Sequence, residues 1–141
     1  VHDRPTRCDY RVIYGDTDQM GVVYYANYLA FFERGRCEYM RARAFDYAAF
    51  EREGFGFPVV DAACRYRKPA RFDDLITIET MVTGASRVTL EFGYRVLRGD
   101  DVLATGSTKH ACVTQAGKPA RLPAKLASLL PAEHHGHITR G

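Results

Sequence analysis

The sequence predicts an α+β fold in which one long helix is wrapped by a curved five-stranded antiparallel sheet. Three observations predict it. A single segment, 27–44, carries apolar residues at helical spacing on an unusually broad face. Beyond Pro58 the period changes to that of strands, and no second helix of comparable length follows. The lengths also match: a helix of about 18 residues is about 27 Å long, and strands of about eight to ten residues span roughly 26 to 34 Å.

The elements follow in order. Residues 8–14 (CDYRVIY) are β-rich and end at Gly15, which predicts a first strand. The loop YGDTDQMGVVYYA leads into the helix, where Leu29, Phe32, Arg36 and Met40 form one stripe and Tyr28, Phe31, Gly35 and Tyr39 the next. Asn27 is placed as its N-cap, accepting from a first-turn amide. A short helix over 47–53 ends in GFGFP. Four strands are predicted at 58–67, 74–83, 87–98 and 102–114. In the third, Val88, Leu90, Phe92, Tyr94 and Val96 alternate with Thr89, Glu91, Gly93, Arg95 and Leu97, as on a sheet with one buried face. The turn RGDD joins the last two as an antiparallel hairpin. A sheet covering a lone helix leaves open edges, and joining the edges of two copies about a two-fold axis predicts a homodimer.

Composition narrows the classes of function. The 141 residues suit one domain, placed at 1–131, with a disordered tail at 132–141. In that tail His134, His135 and His137 sit in a polar, glycine-bearing stretch that is not read as a metal site. A net charge of +3 with interspersed acids argues against nucleic acid, and the local run Arg65, Arg67, Lys68, Arg71 suits a smaller anion. No apolar run is long enough for membrane insertion, and VHDRPTRCDY lacks a secretory h-region, so the cytoplasm is the expected compartment. Cys8, Cys37, Cys64 and Cys112 form no C-x-x-C pair and are expected to be reduced, mostly buried thiols with no metal.

The loop before the helix poses the functional question. Asp16 and Asp18 lie just ahead of a helix N-terminus, where a carboxylate can compensate the dipole or form half of an active site; Asp16 is expected to shape the loop by local hydrogen bonds to backbone amides. Asp16-Thr17-Asp18, Gly21-Val22-Val23-Tyr24, Asn27-Tyr28 and Phe32-Glu33-Arg34, followed by Pro69-Ala70-Arg71-Phe72-Asp73-Asp74 and Gly117-Lys118-Pro119, resemble the hot-dog-fold acyl-CoA thioesterases. The similarity is to the 4-hydroxybenzoyl-CoA and Tol-Pal-associated groups, in order and at family spacing to about Pro123.

The resemblance implies hydrolysis of short-chain or aromatic acyl-CoA thioesters, with Asp18 as the catalytic carboxylate and the Tyr25 N–H binding the thioester oxygen. That assignment fits the chemistry, which needs an attacking oxygen and donors where negative charge gathers. Gly21 is expected to permit close backbone approach, and Val23 and Tyr24 to contact substrate. Phe31 or Phe32 is expected to meet the acyl end. Among basic residues, Arg87 is placed at a nucleotide-contact region, with Lys68, Arg71, Arg65 and Lys118 as further candidates for the coenzyme A phosphates. Coenzyme A enters as part of the substrate, no separate cofactor is implied, and a dimer or a tetramer of paired dimers is expected. At position 25 the Tol-Pal group typically carries histidine and the 4-hydroxybenzoyl group tyrosine, whereas FFERGR resembles the former. Some relatives use a helix glutamate, here Glu33 or Glu38. Competing readings are a hydratase or dehydratase working through His110, and a noncatalytic acyl-thioester-binding module.

Overall fold

The computed structural model describes residues 4–129, so the histidine-bearing tail lies outside the described residues. In chain order the elements are β1 (Thr6–Arg11), α1 (Asn27–Ala42), α2 (Tyr47–Arg52), β2 (Phe55–Gly56), β3 (Val59–Tyr66), β4 (Leu75–Ala85), β5 (Thr89–Arg98), β6 (Asp101–Ala111), β7 (Val113–Thr114) and α3 (Ala124–Ala127). Five strands form one antiparallel sheet in the order β1-β4-β5-β6-β3, and α1 packs on its concave side against β1, β4 and β5. The helix and the five-stranded sheet stand as expected, within a few residues at each boundary.

The α1 sequence buries Tyr28, Phe31, Phe32, Gly35, Tyr39 and Met40. Leu29 is half exposed, because its stripe turns toward solvent at the first turn. The helix ends at Ala42, two residues early, where Ala44 takes a positive φ of 57° and Phe45 turns back onto the Met40 carbonyl. Asn27 is the first helical residue rather than the N-cap. Its side chain donates to the Asp16 carbonyl at 2.8 Å instead of accepting from the first turn, which ties the helix start to the preceding loop. The short α2 begins as its sequence suggests, Asp46 Oδ1 accepting the Ala49 N–H at 3.0 Å.

Close packing depends on glycine at two places. A methyl on Gly35 would sit 2.2 Å from Thr80 Oγ1 and 2.8 Å from Ile78 Cγ2, so the helix backbone rests directly on β4. A methyl on Gly106 would sit 2.5 Å from the Phe32 ring, which stacks on Tyr94 at 4.3 Å.

The β5 alternation holds for Leu90, Phe92, Tyr94 and Val96, which lie in the core, but not at the strand ends. Val88 precedes the strand and is half-buried, and Thr89 and Leu97, read on the open face, are buried as well, Leu97 at a register shift against β6. The RGDD turn pairs Arg98 with Asp101, and Gly99 supplies the positive φ of 60°. The two-stranded ribbon β2–β7 was not predicted; its two-residue strands pair over long range and leave no period to read. The thiols are free, but Cys112 alone is buried and Cys37 is exposed, which corrects the expectation of mostly buried cysteines. Cys37 lies on the solvent side of α1, two residues past the buried Gly35.

A buried polar relay runs through the core beside β6. His110 is buried; its Nδ1 donates to the Phe57 carbonyl at 3.1 Å, which leaves Nε2 to accept from Thr108 at 2.9 Å, while Thr108 accepts from Tyr94 at 2.5 Å. Burial drives the His110 pKa down to about 4. The unfolded chain therefore binds a proton near pH 6.5 that the native chain refuses until about pH 4. Stability from this group is complete above pH 6.5 and falls as pH drops toward 4, by about 3 kcal/mol. Melting temperatures recorded across that window are expected to decline less steeply in His110→Gln than in the wild type.

Candidate active site

The loop between β1 and α1 is held by Asp16. Its Oδ2 accepts from Tyr10 Oη at 2.7 Å and from the Ile13 N–H at 2.9 Å, and its carbonyl accepts the Tyr24 N–H and the Asn27 side chain, both at 2.8 Å. This carboxylate is used up in shaping the loop, as local hydrogen bonding of an aspartate allows.

Asp18 stands differently. It opens a turn closed by the Gly21 N–H on its carbonyl at 3.0 Å, and its N–H bonds the Val22 carbonyl at 2.9 Å. Oδ1 accepts the Met20 N–H at 2.9 Å, and Oδ2 has no hydrogen-bond partner among the described residues. Gly21 has φ of +78° and open space where a Cβ would stand. It is needed for its left-handed backbone, and no other described residue crowds it. Val23 is buried, and its N–H bonds the Ala70 carbonyl at 2.8 Å; beside it Val22 bridges to Arg71. The segment before β4 is thereby sewn to the aspartate loop. Asp74 braces that segment: burial pushes its pKa up, but the Arg71 N–H and the Arg98 guanidinium, each 2.8 Å away, outweigh it and hold the carboxyl below the usual range.

The chain enters α1 at Tyr25, whose N–H takes no acceptor among the described residues, as a first-turn amide has no intrahelical partner. Asp18 and Tyr25 share a cavity of about 290 Å³, with Val23, Tyr28, Tyr66 and the run Arg67, Lys68, Pro69 on its walls. Two residues that each carry an unpartnered group, a carboxylate oxygen and an amide hydrogen, thus line one small space at the positive end of a helix dipole.

The remaining candidates divide. Lys68 lines the cavity and pairs with Asp101 at 3.1 Å. Arg71 and Tyr24 are exposed and stand beside it, Tyr24 packing its ring on Tyr25 at 4.7 Å. Arg87 is not brought to this cavity within one protomer. It lies in the β4–β5 turn, and β4, whose 11 residues span roughly 36 Å, begins at the aspartate-loop end and finishes at Ala85, two residues before Arg87. Phe31 and Phe32 are core residues with no cavity wall, which corrects their assignment to the acyl end. Glu33 and Glu38 lie on the outer side of α1, each with an arginine one turn on, Arg36 and Arg41. Arg65 and Lys118 are outside the cavity as well.

Tyr28, Tyr66 and Arg67 also line the cavity; Tyr28 stands in the Asn27-Tyr28 motif and Arg67 in the basic run, whereas Tyr66 had no mark in the sequence beyond strand pattern. Only the pairing of β3 with β6, which ends at Tyr66 opposite Ala104, carries the β3 terminus beside the helix start.

A family model for the thioesterase-like superfamily matches residues 12–130. The acyl-CoA thioesterase YbgC of Haemophilus influenzae is 39% identical over 127 residues, covering 89% of this chain and 91% of its own. Among solved structures, a hypothetical protein from Aquifex aeolicus superposes with a TM-score of 0.84 at 32% identity, over 89% of this chain and 99% of its own. A DHNA-CoA thioesterase from Staphylococcus aureus does so with a TM-score of 0.81 at 31% identity, over 84% and 80%. Joined to a five-stranded antiparallel sheet wrapped on one helix, these matches establish that the chain belongs to the thioesterase-like superfamily, as a hot-dog-fold acyl-CoA thioester hydrolase.

Proposed function

We propose that the protein hydrolyses short-chain or aromatic acyl-CoA thioesters in the cavity shared by Asp18 and Tyr25. The observation that carries this reading is that Asp18 and Tyr25 line one cavity, and that Asp18 Oδ2 and the Tyr25 N–H have no hydrogen-bond partner among the described residues. The thioester oxygen is placed on the Tyr25 N–H, where the helix start stabilises the charge it gains. Asp18 supplies the attacking oxygen, either its own or that of a water whose proton it takes. In the first case a mixed anhydride forms, the coenzyme A thiolate leaves, and water cleaves the anhydride to acid and free enzyme. In the second the tetrahedral adduct expels the thiolate directly. In a single turnover in ¹⁸O-water, label in the Asp18 carboxylate and none in the acid marks an anhydride cleaved by water at the Asp18 carboxyl carbon. Coenzyme A takes part only as part of the substrate, and no other cofactor enters the scheme.

A cavity of about 290 Å³ suits a small acyl group, and the rings of Tyr25, Tyr28 and Tyr66 suit an aromatic one. A thiol-trapping assay over a panel of acyl chain lengths and aryl groups tests this: thiol release is expected to be fastest for short or aromatic esters. Equal rates with long chains would overturn the size argument. A hydratase is disfavoured because both nitrogens of His110 are engaged in the core.

The phosphates are placed toward Lys68, with Arg71 beside it. Lys68→Ala is expected to raise KM several-fold for the coenzyme A ester, leave kcat unchanged, and leave the matching pantetheine ester unaffected. The effect should shrink at high salt. A contribution from Arg87 requires a second copy of the chain. Such a copy is expected, because β3 is an edge strand with Val59 and Val60 about half exposed, at 46% and 57%. Sedimentation velocity is expected to give a dimer or larger; an active monomer at assay concentration would exclude an interfacial site.

A further inference from the structure

At the start of α1 the backbone bond that closes on Tyr24, from the Asn27 N–H, is short at 2.9 Å, and those that close on Tyr25 and Ala26 are long. The Tyr25 carbonyl accepts the Tyr28 N–H at 3.3 Å, and the Ala26 carbonyl accepts the Leu29 N–H at 3.2 Å, both long bonds of three-residue spacing. The shortest bond at this carbonyl comes from elsewhere in the chain: Tyr66 Oη, at the last residue of β3, donates to it at 2.8 Å. The Tyr66 ring also stands edge-on to Tyr28 at 5.1 Å and to Tyr25 at 6.4 Å.

We propose that Tyr66 is a positioning residue for hydrolysis, its hydroxyl fixing the Tyr25 carbonyl so that the N–H of the same residue stays directed at the thioester oxygen. This inference rests on the assignment of that N–H as the oxyanion donor. The peptide that carries this N–H is held on its Tyr24 side by the Asn27 N–H at 2.9 Å. On the Tyr25 carbonyl side the backbone bond is 3.3 Å, the residue is not yet helical and its ring is largely exposed, at 61%, so the second anchor falls to Tyr66. A donor acts through electrostatic stabilisation only where it is preorganised, and small misplacements are expensive in rate. Tyr66 also belongs to an edge strand, so the set of the helix start is coupled to the strand expected to meet a second copy.

The hydroxyl persists as a donor throughout the working pH range. Burial first, and then Cys64 on its own strand, Tyr28 on α1 and Tyr25 in the loop, push its pKa up to about 12. The other charged groups on the same cavity are Asp18, Arg67 and Lys68.

Tyr66→Phe keeps the ring and removes the donor. It is expected to lower kcat about tenfold or more, with KM for the acyl-CoA ester within twofold and a melting temperature within about 2 °C. A stable thioether analogue, which never carries an oxyanion, should bind both proteins with the same Kd. An unchanged kcat would overturn the inference. So would a loss of thioether affinity matching the loss in kcat/KM, because the Tyr66 hydroxyl would then bind the substrate itself rather than the Tyr25 carbonyl. Should the phenylalanine variant not fold, 3,5-difluorotyrosine at position 66 retains the ring and makes the phenol more acidic. kcat is then expected to acquire an alkaline descending limb that the wild type lacks, and its absence overturns the inference equally. If instead Asp18→Asn retained activity, the active-site assignment itself would fail; loss in Asp18→Asn with no effect at Tyr66 removes only the clamp.

Discussion

Asp18→Asn is expected to lower kcat by on the order of 10³-fold or more while leaving the fold intact. The neutral amide can neither attack a carbonyl nor take a proton from water. It can still accept the Met20 N–H that Asp18 Oδ1 accepts at 2.9 Å, so the turn closed by Gly21 survives. The variant should therefore melt with the wild type and bind a thioether analogue normally while releasing almost no thiol. In free energy the loss is about 4 kcal/mol of transition-state stabilisation. Asp16→Asn is expected to be milder in rate, because Asp16 holds the loop through Tyr10 and Ile13 and does not line the cavity of Asp18. Near-normal thiol release by the Asp18 variant would transfer the chemistry to a helix carboxylate. Glu33 and Glu38 would be tested next, although both stand outside the cavity and beside arginines.

Gly106→Ala is expected to be among the most destabilising single methyl additions in the chain. The new Cβ would lie 2.5 Å from two atoms of the Phe32 ring and 2.6 Å from the Ala63 carbonyl oxygen. Neither side yields easily: Phe32 is fully buried and stacked on Tyr94, and the carbonyl belongs to the backbone of β3. Overpacking of this kind costs about 3 kcal/mol, which lowers the melting temperature by roughly 10 °C for a domain of this size. The damage reaches the site, because relief requires β3 to move, and β3 ends at Tyr66. Loss of kcat measured well below the melting transition is expected alongside the loss of stability. A melting temperature within 2 °C of wild type would mean that β3 is free to shift. Gly35→Ala is a milder case, since Thr80 Oγ1 at 2.2 Å can rotate away, leaving Ile78 Cγ2 at 2.8 Å to be accommodated.

The sequence by itself determined the architecture, because both periods are local. Apolar residues every three or four positions over 27–44 and every second position over 87–98 specify which side of each element is buried, whatever it packs against. It also marked the aspartate loop through the order of Asp16, Asp18 and Gly21 ahead of a helix, and the enzyme class through motifs spread along most of the chain. The division of labour between the two aspartates was legible as an expectation. Asp16 does hold the loop, as local hydrogen bonding suggested.

Only the tertiary structure decided what meets the helix start. Tyr66 and Tyr25 are separated by 41 positions and are joined by a side chain bonding to a backbone carbonyl, a contact that has no period and no motif. For the same reason Arg87, basic and near family motifs in sequence, sits a full strand length from Asp18, and Phe31 and Phe32, adjacent to the right loop in sequence, turn into the core. Local pattern fixes which face of an element is apolar. Which end of which strand that face lies beside is set by strand order and register, and those depend on the free energy of the whole sheet closing on the helix.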